Sequence, residues 1–265
     1  MKLGIGLPVN NPDVLLDWTT RAEATGFSSV AVYDRLAYTN AEALVTLAVL
    51  AGATSRIGLR PQILIGPLRG TALLGAQAAT LDRLSGGRFT LGMGVGGDRP
   101  ADFAAAEVDI KGRGARFDQQ ITQLQPVTPG GPKILLGGVT EKGASRVARH
   151  GLGCISALPP QVGGQLIELI NHQWAEAGRP GRPHVVGQLN AALGPDAVID
   201  DAKNALAAYY TEQGLAEFQV EHLATSPQQI QDTIAGYADL GAAEVSIYCW
   251  SADPSQLDRF SDTVL

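Results

Sequence analysis

Cysteine is nearly absent from this 265-residue chain, with only Cys154 and Cys249, each set inside an apolar run. Two isolated strand cysteines fit small core residues better than a disulfide framework or a metal pair. Histidine is scarce too: His150, His172, His184 and His222 are widely separated, and none stands at ligand spacing from Asp, Glu or Cys, so no metal site is expected. Basic runs are missing and the net charge is −6, which argues against nucleic acid or an anionic membrane surface as the main partner. Long apolar runs are also lacking. The longest uncharged stretch lies between Glu42 and Arg56, too short to span a bilayer. The start, Met1-Lys2-Leu3-Gly4-Ile5, has neither the apolar run nor the cleavage site of a signal peptide, so a cytoplasmic protein is expected.

What is present is glycine, 32 residues, in a chain that is 45% hydrophobic and 17% charged. That balance suits a folded domain with a large core. Short apolar runs alternate with longer helical patterns from end to end. The strands read as Leu3–Leu7, Ser29–Tyr33, Ile57–Ile65, Phe89–Gly94, Lys133–Leu136, Gly153–Ala157, His184–Leu193 and Glu244–Trp250. Helices read over Val14–Thr25, Ala41–Thr54, Thr71–Leu84, Arg113–Leu124, Glu141–Arg149, Gln165–Ala177, Asp200–Thr211 and Pro227–Leu240. Strands separated by helices imply parallel pairing with right-handed crossovers. Eight such units close a (β/α)8 TIM barrel, an α/β fold that typically needs about 250 residues. No linker divides the chain, so residues 1–265 read as one domain.

The stretch Glu42–Gly97 is the most distinctive. It runs from an Ala/Leu-rich helix through Ala53-Thr54-Ser55-Arg56-Ile57-Gly58-Leu59 and a strand. It ends in Ala78-Ala79-Thr80-Leu81-Asp82-Arg83-Leu84-Ser85-Gly86-Gly87-Arg88-Phe89 followed by Gly92-Met93-Gly94. This order resembles the luciferase-like monooxygenases. Ala22–Phe27, Arg113–Asp118, Ile134–Gly138 and Ala224–Gln228 resemble further segments of the same family. The resemblance implies an oxidoreductase that binds reduced FMN or the deazaflavin F420 at the carboxyl ends of the strands. F420 is slightly favoured by a Lys-poor, Ala/Gly/Arg-rich composition of the kind found in high-GC genomes. Ser85-Gly86-Gly87-Arg88 reads as architecture on the opposite face: a glycine cap, a turn and a strand start.

Gly92-x-Gly94-x-x-Gly97 formally matches a dinucleotide fingerprint, but it follows the fourth strand, and Asp98-Arg99-Pro100 interrupts before any convincing helix. In a barrel, Gly94 and Gly96 would let a planar ring approach the backbone. A plain turn is the alternative. Gly137, Gly138 and Val139 open a helix whose N–H groups and dipole suit a phosphate, although Thr140 could simply cap that helix. The resemblance adds phosphate contacts from Ser156 and Ala157, the latter through its N–H alone. It also places Gln62-Ile63 where relatives often carry a non-prolyl cis peptide behind the flavin. The alternative there is an ordinary buried strand pair.

Asp34-Arg35 closes the second strand where many relatives have Asp-His. Arginine stays protonated and cannot be a general base. Arg35 is expected to clamp an anion, with Asp34 orienting it or bonding the ring; the bland alternative is a surface ion pair. Between the helix near Leu124 and the strand at Lys133 only Gln125–Pro132 remains, where most relatives have a few dozen residues that cover the substrate. A more open pocket, or one completed by a partner subunit, is therefore expected, and with it a homo-oligomer, a dimer, acting on a small-molecule substrate. Two functions stay open: hydride or oxygen transfer through a bound cofactor, and a flavin- or metabolite-binding barrel without turnover.

Overall fold

The chain alternates strand and helix in a computed structural model that describes residues 1–8, 11–124, 133–138, 140–251 and 253–265. The elements are β1 (Lys2–Gly6), α1 (Leu15–Thr25), β2 (Ser29–Val32), α2 (Ala43–Ala53), β3 (Gly58–Pro61), β4 (Leu64–Ile65), α3 (Thr71–Leu84), β5 (Thr90–Gly94), α4 (Pro100–Ala105) and α5 (Arg113–Leu124). They continue with β6 (Lys133–Gly137), α6 (Glu141–His150), β7 (Gly153–Ser156), α7 (Pro160–Glu176), β8 (His184–Ala191), α8 (Asp196–Tyr210), α9 (Ala216–Glu221), α10 (Pro227–Asp239), β9 (Glu244–Cys249) and α11 (Ser255–Val264).

All strand pairs are parallel, in the order β3-β2-β1-β9-β8-β7-β6-β5-β4. The two ends of that order are halves of one barrel strand. β3 pairs with β2, β4 pairs with β5, and a parallel bridge from Leu59 to Phe89 joins the edges. Counting β3 and β4 together, the eight predicted strands form the predicted barrel. The halves meet at Gln62–Ile63, whose peptide bond is cis.

The helices differ more. α7 starts at Pro160, ahead of the expected Gln165, because Pro159-Pro160 opens it and the Gly163-Gly164 pair lies inside it. A Cβ on Gly163 would lie 3.2 Å from the Ser156 Oγ, so glycine there reflects close helix–strand packing, not a break. α4 also begins at Pro100, where the sequence suggested an interruption; proline suits a first helical turn. α10 carries a full capping box, Ser226 with Gln229.

Alternation along each strand separates two cores. Leu136, Cys154 and Val185 face the helices and join the main core, while Leu135, Ile155 and Val186 form a separate cluster with Ile63 inside the barrel. Both cysteines are buried free thiols, and burial pushes Cys154 up to about 12. At the amino-terminal face, Gly86 and Gly87 have φ +69° and +81°. The Arg88 guanidinium donates there to the carbonyls of Ala51, Thr54, Ile57 and Ser85, so the Ser-Gly-Gly-Arg motif is a brace between helix ends and strand starts.

Low in the barrel lies a buried ion pair. Arg60 donates to Glu244 at 2.9 Å, to Ser246 at 2.8 Å and to Gln62 at 3.0 Å, and the Ser29 hydroxyl donates to Glu244 as well. Burial pushes the Glu244 carboxyl up, but Arg60 and Ser29 pull it further down, so it titrates below its ordinary value of 4.5. The stability this pair contributes is present above that value and is lost as pH falls through the lower folded value. Glu244→Gln leaves Arg60 buried without a carboxylate and is expected to destabilise the fold by about 3 kcal/mol at neutral pH. The difference from wild type should narrow in chemical denaturation below pH 4.5. A gap that stays constant from neutral pH to the acid limit would show that the pair is not ionised in the fold.

Candidate active site

The carboxyl ends of the strands carry nearly every residue singled out in the sequence. Ile63, Gly94 and Gly137 come together there. A Cβ on Gly94 would lie 3.5 Å from the Ile63 Cδ1 and 3.9 Å from the Gly137 carbonyl, and a Cβ on Gly137 would collide with the same methyl. The result is a floor of bare backbone beside one isoleucine. Gln62 is buried below it, bonded to Arg60, Gln188 and Ser246. Gly96, with φ +75°, takes a left-handed conformation, and a Cβ there would lie 2.7 Å from Ile65.

Gly138 is glycine for packing. A Cβ on it would sit 2.8 Å from the Cα of Gly143, where strand β6 and helix α6 cross. Thr140 does cap α6, accepting from the Gly143 N–H at 3.2 Å, which uses one of the helix's free donors and leaves others. Val139 lies outside the described residues, as does Gln125–Pro132. Ser156 is 2% exposed and its Oγ has no hydrogen-bond partner among the described residues. Ala157 lines a cavity of about 230 Å³ together with the amides of Gln188, Asn190 and Gln219. The predicted residues thus fall into two neighbouring groups, the glycine floor at β4–β6 and the amide-lined cavity at β7–β8.

The expected Asp34–Arg35 unit is not formed. Asp34, 2% exposed, accepts from both Arg69 Nη atoms at 2.8 and 2.7 Å and from the Ile65 N–H at 2.7 Å. Burial raises its carboxyl above the ordinary value, against the downward pull of Arg69 and the Ile65 N–H. Arg35 faces Asp102 through Nε and Glu212 through Nη2 at 2.7 Å. Neither is a surface pair: Arg35 is 5% exposed and Asp102 is fully buried.

Several site residues were not read from the sequence. Tyr33, Tyr209, Tyr210, Tyr248 and Trp250 form an aromatic cluster at the barrel mouth, with centroids 4.3 to 6.0 Å apart. Tyr209 and Tyr210 end α8, and the residues after them bind across the mouth. Glu212 accepts from the Ala101 N–H and Gln213 accepts from Arg99. The residues after α8 thus cover part of the mouth from that side. The signal for the amides was visible, since Gln188 and Asn190 alternate with apolar residues in a strand buried from Val185 onward.

The family model for the luciferase-like monooxygenases matches residues 2–122 and 103–245. The chain belongs to this family. An uncharacterised protein of Mycobacterium tuberculosis is 26% identical over 226 residues, covering 76% of this chain and 75% of its own. An F420-dependent glucose-6-phosphate dehydrogenase of Beutenbergia cavernae is 38% identical over 127 residues, 45% of this chain and 38% of its own. Among solved structures, an F420-dependent secondary alcohol dehydrogenase in complex with an F420–acetone adduct superposes with a TM-score of 0.85. It covers 99% of this chain and 98% of its own at 17% identity, a likeness of fold.

The glycine floor yields a direct test. Gly94→Ala places a methyl in ordinary contact with Ile63, so the fold should hold and the thermal midpoint should stay within a few degrees. If the floor takes a planar ring, cofactor affinity should fall by about tenfold or more. Unchanged affinity in the folded variant would move the ring elsewhere.

Proposed function

We propose that this family member is an F420- or FMN-dependent oxidoreductase that transfers hydride or oxygen to a small organic substrate, with F420 favoured. The observation that carries the reading is the floor of Gly94 and Gly137 beside Ile63 at the strand carboxyl ends, where backbone and one isoleucine meet with no other side chain between them. Ile63, Gly94 and Gly96 would hold the ring. Gly137, Gly138, Val139, Ser156 and Ala157 would hold the phosphate, and the unpartnered Ser156 Oγ is the donor that most needs an acceptor. The reduced cofactor, when bound, supplies the hydride or activates oxygen. The chain's own groups position it: Asp34 fixes the backbone at Ile65, and Arg35 with Asp102 fixes the loop beneath the substrate side. F420 is favoured because the Beutenbergia relative, at 38% identity over its matched part, is named for that cofactor.

One observation favours the second reading, a binding barrel without turnover: Arg35 stands where relatives have histidine, and two carboxylates already compensate it. The two readings separate in one experiment. Spectral titration with reduced F420 and reduced FMN, followed by turnover with a panel of alcohols and aldehydes, is expected to give tighter binding of F420 and measurable oxidation or reduction. Tight binding with no turnover on any substrate selects the binding protein. Binding of neither cofactor overturns both forms of the reading.

We also propose that the protein works as a homodimer through α2 and α3. α2 is apolar on every side: Leu44, Leu47 and Leu50 are buried, while Val45 and Val49 are 66% and 57% exposed. Leu84 of α3 is 75% exposed beside them, and Ala48, Gly52 and Ala76 line the groove between the helices. A helix apolar all round is normally buried, and small residues let a second copy approach closely. In light scattering the wild type should run as a dimer and the double variant Val45→Glu, Val49→Glu as a folded monomer. A monomeric wild type at micromolar concentration would remove the proposal.

A further inference from the structure

Three guanidiniums converge on the barrel mouth, and they are not equivalent. Arg69 faces the carboxylates of Asp34 and Glu42. Arg35 faces those of Asp102 and Glu212. Arg99, in the loop between β5 and α4, faces no carboxylate among the described residues. Its Nη2 donates to the neutral amide of Gln213 at 2.6 Å, and its Nη1 is buried with no hydrogen-bond partner among the described residues. The residue is only 6% exposed, so water replaces little of what the protein leaves out. The guanidinium lies over the Tyr209 ring, 4.8 Å from its centroid, and 6.0 Å from that of Tyr210. Asp98, next in sequence, is exposed and forms no ion pair with it among the described residues.

An uncompensated buried cation is costly unless something of opposite charge meets it. The ring beneath stabilises the charge partly, through its negative face, but offers no acceptor to Nη1. The neighbouring residues sharpen the contrast. Glu212 and Gln213 are adjacent and both reach over the mouth, yet the acid is turned to Arg35 and the amide to Arg99. The amide holds the guanidinium in place without neutralising it.

We propose that Arg99 is an anion-recognising, specificity-determining residue, and that the site takes a small organic carboxylate whose apolar or aromatic body lies against the Tyr209, Tyr210 and Trp250 cluster. A guanidinium offers carboxylate a planar pair of donors. As a statement about substrate, this rests on the oxidoreductase reading; as a statement about binding, it does not. It also transfers to Arg99 the anion clamp that the sequence suggested for Arg35.

The test uses the full chain, with benzoate as probe and benzamide as its neutral counterpart. Trp250 lies 5.2 Å from Tyr209 and 6.0 Å from Tyr210, so its fluorescence reports occupancy, with calorimetry as a second readout. Benzoate should bind at least about tenfold more tightly than benzamide, and the preference should shrink as salt rises. Arg99→Gln should abolish it. Gln213→Glu should do the same by supplying the missing carboxylate, and it keeps Arg99 in place, which guards against a folding defect in the first variant. Arg83→Gln, an exposed charge at the other end of the barrel, should leave it unchanged. Equal binding of benzoate by wild type, Arg99→Gln and Gln213→Glu overturns the proposal. So does a loss of F420 or FMN affinity in Arg99→Gln with benzoate binding intact, because that assigns the cation to the cofactor. Failure of cofactor titration with benzoate selectivity retained would instead sink the oxidoreductase reading and leave the anion site standing.

Discussion

The carboxylate of Asp34 holds together the one place where the barrel wall is broken. β3 pairs with β2 and β4 pairs with β5, and the backbone passes from one pairing to the other through Gln62–Ile63. A buried N–H left without an acceptor would be expensive there. Asp34 supplies the acceptor for Ile65, and the bidentate fork of Arg69 makes its charge tolerable in a site shut off from water. The position of Ile63 follows from this anchoring. So does the floor, because Gly137 can only be glycine while Ile63 occupies that point, and a Cβ on Gly94 would lie against the same methyl.

The mouth is built on the same logic. Asp102 accepts from Arg35 and from the N–H groups of Leu36 and Ala37, which ties the loop after β2 to α4. Glu212 accepts from Arg35 and from Ala101, which ties the segment after α8 to the same pair. Buried charges in such numbers are weak evidence for added stability but strong constraints on geometry. They hold Tyr209 and Tyr210 over the barrel axis. Below them a column of side chains, Arg60, Gln62, Gln188, Asn190 and Gln219, passes hydrogen bonds from the ion pair at the base to the cavity at β7–β8.

The barrel was legible because periodicity and punctuation are local. Eight apolar runs, the helix beginning at Pro227 and the Gly86-Gly87 turn each declare themselves within a few residues. The helix starts at Pro100 and Pro160 were missed, although the start at Pro227 was read, because a proline looks like an interruption until the first turn is seen to tolerate it. The charge pairing was illegible for a different reason. Asp34 adjoins Arg35 in sequence, but both lie past the end of β2, where no regular pattern says which way a side chain turns. The true partners lie 35 and 67 positions away, and only closure of the barrel brings them in.

The titration behaviour of the mouth limits what the chain itself can contribute to chemistry. Burial raises the phenols of Tyr33, Tyr209, Tyr210 and Tyr248, so they keep their protons through the neutral range and act as donors and packing surfaces, not as bases. Arginines cannot accept a proton, and Asp34 is engaged with Arg69 and a backbone N–H. Next to Asp34, this chain has in Arg35 a cation already compensated by two acids. The mouth is therefore furnished to orient charged and aromatic groups and to exclude water, with little provision for proton relay. Within an oxidoreductase that division is workable, since a bound redox cofactor carries the electrons and the protein need only fix the approach of the reacting atoms. The same furnishing would also serve a binding protein, which is why turnover, and not affinity, separates the two.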